Sequence, residues 1–330
     1  MRRIASLAVL FTLLVPGPYS SALAQSGVEE GVFALRRRDF PAALKVLEPM
    51  ASKGHPFAQE VMGDIYSAGL GVTSDAKTAC DWWEKAEHQD RPAATHNLGS
   101  CFARGEGRPQ DGAKAMELYS KAAKLGHAQA NCAMGELLLT GDVVPADVPR
   151  GVELCLKAAQ AGAPRAQVTV GGLYLTGTHV TKDLTEAFSW MEKAAEQGET
   201  TAQYTTGLMY RYGDGVTSDQ EKAALWLEKA AKKGHVPAQQ RLGETLFVLA
   251  IDPETKIVDA GRMVQAYYWT TLAHPFVKDP AQKEKTGDMK ALMAEMLPDD
   301  LQNKVDGNVA AYLKGLKGTA AALAPTPPKP

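Results

Sequence analysis

The chain has 330 residues, with 36 lysines and arginines against 38 acidic residues and a formal net charge of −2. That balance gives no electrostatic reason to bind nucleic acid or an anionic lipid surface. The apolar content is ordinary for a globular chain, and the length allows one large domain or two.

Arg2 and Arg3 precede an apolar run over residues 4–15, which Pro16, Gly17 and Pro18 interrupt before the small residues "ALA" at 22–24. The run is too short to span a bilayer and has the layout of a secretory signal peptide. Residues 1–24 are therefore expected to be removed on export, with cleavage after Ala24. No cysteine follows the run, so a lipoprotein is not expected, and no later run is long enough to span. This places the mature chain in a periplasm or outside the cell.

The stretch "GVTSD" at 71–75 recurs unchanged at 215–219, an offset of four times 36. The same period holds elsewhere. Ala58, Ala94, Ala130, Ala166, Ala202 and Ala238 form one column, and Gly63, Gly99, Gly135, Gly171, Gly207 and Gly243 form another. Gly69, Gly105, Gly141, Gly177 and Gly213 follow, then Asp75, Asp111, Asp147, Asp183 and Asp219, and finally Lys85, Lys121, Lys157, Lys193 and Lys229. A fixed period without insertion over five units is the signature of a repeat array.

Each unit reads as two helices. Positions 58, 62, 63 and 66 lie on one face of a helix A, and 79, 82, 83 and 86 on one face of a helix B. Between them Gly69 suits a left-handed C-terminal cap and Asp75 an N-cap. A glycine inside helix A costs about 1 kcal/mol against alanine, so its column implies that helix B approaches closely there. "GVTSD" is then an inter-helix turn. As a phosphate cradle it would have to recur five times without the Lys-Ser/Thr that such loops carry. The Gly-His pairs ending at His55, His127 and His235 share one repeat position after helix B, so these histidines belong first to turns.

Alanine, Leu/Met-Gly, an aromatic, Gly-x-Gly-Val, aspartate, Ala-x-x-Trp and Lys-Ala-Ala-x-x-Gly together resemble the pattern of Sel1-like repeats, relatives of the tetratricopeptide repeat. The resemblance covers residues 56–235 as five units. It implies an all-α fold: a right-handed α-solenoid of antiparallel helix pairs. A half repeat or cap precedes it at 27–55, where Asp39, Ala43 and Gly54 keep the register. A degenerate sixth unit occupies 236–275. There Ala238 and Gly243 are in register, but Ala266, Trp269 and Ala273 come seven positions late. Val143 and His179 replace the second loop glycine, and Asp90 replaces the closing one. Two further helices over 281–317 would cap the last apolar face. The Ala/Pro-rich tail at 318–330 cannot join a packed core.

Cys80, Cys101, Cys132 and Cys155 suit disulfides in an exported chain. Antiparallel helices that turn near residue 90 pair positions summing to about 180, and Cys80 with Cys101 sums to 181. The turn near 144 pairs positions summing to about 288, and Cys132 with Cys155 sums to 287. No C-x-x-C or C-x-x-H spacing points to zinc, and no cofactor is expected.

No H-E-x-x-H, G-x-S-x-G or P-loop pattern occurs, so the chain is not read as an enzyme. The resemblance keeps penicillin binding or β-lactam hydrolysis as the alternative. The leading expectation is a monomeric scaffold that docks a protein or peptide on the helix-A face and regulates an envelope or cell-wall protein. By analogy with tetratricopeptide repeats, the exposed positions give His96, Arg104, Glu136, Arg165, Tyr204, Arg211, Tyr212 and Glu244. Of these, Tyr204, Arg211 and Tyr212 form the expected anchor, on the premise that repeat packing does not need them.

Overall fold

A computed structural model describes residues 27–316, with side chains through Lys314. The expectations for residues 1–24 and 318–330 fall outside the described residues. Among the described residues there are sixteen α-helices and no strand, apart from a single bridge between Ile251 and Val258. The fold is an α-solenoid of consecutive packed helix pairs.

The five regular pairs are α3 (Pro56–Ala68) with α4 (Ala76–Glu87), α5 (Pro92–Arg104) with α6 (Gly112–Lys124), and α7 (Gln129–Thr140) with α8 (Val148–Gln160). Then come α9 (Pro164–Thr176) with α10 (Leu184–Glu196), and α11 (Thr200–Tyr212) with α12 (Gln220–Lys232). Before them stand α1 (Val28–Arg36) and α2 (Phe40–Ser52). After them stand α13 (Val236–Ala250), α14 (Ala260–Ala273), α15 (Pro280–Glu295) and α16 (Asp299–Leu316).

The turn columns act as their residue types dictate. Asp75, Asp111, Asp147, Asp183 and Asp219 each accept backbone N–H bonds at the N-terminus of a helix B. Gly69, Gly105, Gly141 and Gly213 close the preceding helix A in the left-handed conformation. The second loop glycine lies against the start of the preceding helix B: Gly71 on Phe40, Gly107 on the Ala76 carbonyl, Gly215 on the Leu184 carbonyl. His179 and Asp90 keep the left-handed backbone that glycine has elsewhere, at φ 66° and 55°. Val143 does not. Its carbonyl instead fills the space beside Gly112.

Close approach explains the mid-helix glycines. A Cβ at Gly63 would enter the Trp83 indole, one at Gly99 would meet the Tyr119 ring at 2.9 Å, and one at Gly207 would meet Leu227 at 2.8 Å. At Gly135 it would meet the Gly151 carbonyl at 2.5 Å and Cys155 Sγ at 2.9 Å, while at Gly171 it would meet Met191 first, at 3.1 Å. Trp83, Tyr119, Cys155, Met191 and Leu227 all occupy one repeat position, so the contact itself is periodic. In the sixth pair the regular spacing would set Met263 against Gly243. The glycine faces Thr270 instead, which is the delay read in the sequence. The region 27–55 is more than half a repeat. Gly31 packs on Leu47, where the regular spacing would bring Ala51, because the connection at 37–39 is shorter than the one at 69–75. That shortening moved α1 out of the common register and hid it.

The chain forms two compact units, the first ending at Gln167 and the second beginning at Val168. In the first, the buried apolar side chains fall into separate clusters, around Leu47 and Met62, around Cys80, Trp83 and Leu98, and around Tyr119 and Ala130. Both disulfides are here, joining Cys80 to Cys101 and Cys132 to Cys155. In the second, one cluster gathers Ala187, Met191, Ala202, Tyr210 and Trp226, and a larger one runs from Ala224 through Tyr267, Tyr268 and Trp269 to Val309, where α15 and α16 pack. Lys85, Lys193 and Lys229 lie over the rings of Trp82, Trp190 and Trp226 at 3.9, 4.4 and 3.6 Å, which accounts for the Trp-x-x-Lys spacing.

Candidate partner-binding face

At three junctions successive A helices meet at a joint that uses the same two repeat positions. A side chain in the middle of one helix A touches the residue just before the next. Glu60 on α3 accepts a two-pronged bond from Arg91, at 3.0 and 3.1 Å. His96 on α5 stacks on His127, with ring centroids 4.7 Å apart. Tyr204 on α11 stacks on His235 at 4.8 Å. A second tie runs backwards across the turn. Gln59, Gln167, Gln203 and Gln239 each donate to a carbonyl of the preceding helix B, near its end. Thr95 and Asn131 stand in that column without the reach, and they bond to nearby backbone carbonyls instead. The Cys80–Cys101 bridge crosses the α4–α5 junction, where the glutamine is missing.

In the second unit, Arg211 is a structural strut. It donates to the Arg241 carbonyl, to the Thr245 hydroxyl and to Glu244, and Glu244 also pairs with Arg241 at 2.8 Å. Glu244 is buried, at 5% exposure. The premise that packing does not need Arg211 is thus corrected. A guanidinium offers five donors, and at this depth three of its bonds go to its own chain. Tyr204 is half-buried against His235. Tyr212 is 59% exposed, and Val248, at the same position of the next repeat, is 56% exposed.

In the first unit the face is polar. His96, Ser100 and Arg104 recur every fourth position along α5, so they share one side of the helix. Ser100 hydrogen-bonds the Tyr119 hydroxyl at 3.0 Å, and His96 also lies 5.2 Å from the Tyr119 ring. Arg104, Glu136 and Arg165 are exposed. Burial holds the His96 and His127 imidazoles below the usual histidine range. For His96 the neighbouring His127, Arg165 and Arg104 add to the effect, because each disfavours a further positive charge. The Nδ1 atom of His96 is buried without a hydrogen-bond partner. The other two Gly-His histidines, His55 and His235, accept the N–H of Ala58 and Ala238 as N-caps.

Sequence reasoning passed over one further group. Asp64 on α3 is buried and accepts from Trp83 Nε1 at 3.2 Å and Asn97 Nδ2 at 3.3 Å. Burial, with Glu60 nearby, pushes its carboxyl up to about 8. The sequence around Asp64 carried no signal of this, because the burying group, Trp83, arrives from helix B. Among the described residues, no group of three or more His, Cys, Asp or Glu side chains is placed to hold a metal ion. None of the described helices is long and apolar enough to cross a membrane.

The Sel1 repeat family profile matches residues 56–90, 92–127, 128–162, 164–199 and 200–235. A Sel1 repeat protein from Oxalobacter formigenes is similar, at 29% identity with a TM-score of 0.57, over 76% of this chain and 100% of that one. The protective antigen c5321 of uropathogenic Escherichia coli, which displays an SLR fold, gives 22% identity and a TM-score of 0.41, over 87% and 69% of the two chains. Immunity protein Pa5087 from Pseudomonas aeruginosa gives 20% and 0.46, over 72% and 82%. No curated protein matches the chain.

Proposed function

Because the chain belongs to the Sel1 repeat family, whose members are protein–protein interaction scaffolds and typically not enzymes, we propose that it is an extracytoplasmic scaffold. On this reading it docks a protein or peptide partner on its helix-A face and so regulates an envelope protein. The observation that carries the reading is the pair Tyr212 and Val248. Two large apolar side chains stand more than half exposed at the same position of consecutive repeats, where burial against a partner would gain what folding leaves unused. The two disulfides support a compartment that is oxidising.

The test is site-specific photo-crosslinking in the native envelope. A photoreactive residue at Tyr212 or Val248 should give one shared adduct, and the same group at exposed Lys232 on α12 should not. Truncating Tyr212 to alanine should weaken capture by at least roughly tenfold, corresponding to about 1.4 kcal/mol. Adducts of equal yield and identity from all three positions would refute the assignment of this face.

A further inference from the structure

The joints between A helices differ in one chemically telling way. The first carries an acid and a base, Glu60 with Arg91. The next replaces the acid with a second base, His96 against His127. The charged groups that act on His96 are His127, Arg165 and Arg104, and every one of them is basic. His96 Nδ1 lacks a hydrogen-bond partner within the chain. A joint that is charge-balanced in one repeat is therefore left without its acid in the following one.

We propose that the helix-A face of the first unit binds an acidic segment of a partner protein, with a carboxylate seated beside His96 and His127 and paired with Arg104. This rests on the scaffold reading above and names the chemistry of its partner. Arg104 stands exposed two helical turns beyond His96 on the same side of α5, placed to take a carboxylate in a two-pronged bond. The groups around the histidine pair are Arg104 on α5, Tyr119 on α6 and Arg165 at the start of α9, with Glu136 on α7 beside Tyr119. Glu136 is the acid nearest this group, acting on Tyr119 and not on either histidine. The whole chain carries a formal charge of −2, so attraction of a polyanion has to come from this local arrangement rather than from net charge.

A carboxylate within about 4–6 Å of an imidazole favours its protonated form. Binding should therefore raise the titration midpoints of both histidines. The probe is a fluorescein-labelled hexaglutamate peptide, added to the full mature chain at low salt. Binding is read by anisotropy and the histidine Hε1 signals by NMR. The proposal expects saturable binding, an upward shift of about one unit in the midpoints of His96 and His127, and at least roughly tenfold weaker binding for Arg104→Gln and His96→Gln. The control Lys232→Gln should bind as the parent does. Absence of binding, equal binding by Arg104→Gln, or displacement of the peptide by low millimolar inorganic phosphate would each overturn it. The last result would assign a small-anion site instead. Crosslinks at Tyr212 that persist after such a failure would retire this inference alone. Their absence at Tyr212 and Val248 would retire the scaffold reading.

Discussion

The two units build one repeat plan with different materials. In the first, the apolar clusters are smaller and two disulfides stand among them. In the second, Tyr267, Tyr268 and Trp269 are 2%, 0% and 0% exposed within a larger cluster toward its end, and no described cysteine is present. The repeat backbone therefore sets the path of the chain, while the source of stability is free to vary from unit to unit. In a near-additive array that variation stays local.

Reduction should break the comparison most sharply. The bridges close sequence separations of 21 and 23, a loop length worth about 3 kcal/mol in the chain-entropy model. Limited proteolysis under a reductant should therefore open the first unit and spare the second. Equal cleavage of both would refute local stabilisation. Next in size is a pair of glycine substitutions. Gly135→Ala in the first unit drives a methyl into the Gly151 carbonyl and should cost about 2 kcal/mol. Gly171→Ala in the second meets chiefly the flexible Met191 and recovers up to about 1 kcal/mol of helix propensity. Denaturant midpoints that move together would contradict this packing.

Arg211→Ala tests the strut in the second unit. Losing its bonds to Arg241, Thr245 and Glu244 should lower stability by about 1–2 kcal/mol, because Glu244 keeps Arg241. An unchanged thermal midpoint would return Arg211 to the role the sequence implied, a partner-facing anchor that packing does not need.

A pH slope carried by Asp64 is also expected in the first unit. Asp64 titrates at about 8 when folded, against 3.8 as its ordinary value. Its contribution to stability is complete below the unfolded value and is lost as pH rises through 8, at most on the order of 1 kcal/mol per unit. Asp64→Asn preserves an acceptor for Trp83 and should flatten that slope between pH 5 and 8. His96 and His127 are depressed when folded, so their contribution is present above the ordinary histidine range and is lost as pH falls below it. Hydrogen exchange at α3 and α5 separates the two slopes.

The parts of this molecule that the sequence revealed are those where one residue type repeats one job. The capping aspartates, the loop glycines and the close-packed glycine column all recur at identical offsets. The cysteine pairs followed from the antiparallel geometry. The joints between A helices were illegible for the opposite reason. Glu60 with Arg91, His96 with His127 and Tyr204 with His235 share a position but no chemistry, so a column search sees only variety. Burial of Asp64 and Glu244 was equally hidden, because both look like exposed acids until a neighbouring helix closes over them. Arg211 failed for a related reason: the partners that bind it, Arg241, Glu244 and Thr245, lie in the next repeat.

The helix-A glycine keeps its helix-B contact even where Gly31 finds Leu47 early and Gly243 finds Thr270 late. The difference is absorbed in the connection between the two helices and in the first turn of α14. Seen as an engineering tolerance, the connection is an adjustable spacer and the helix pair is the fixed part. Lineages of such arrays can therefore lengthen or trim these turns without renegotiating the stack. A short peptide or reporter grafted between Asp252 and Ile257, where the chain is exposed and has already grown, would be carried as cargo by a frame that does not register its presence.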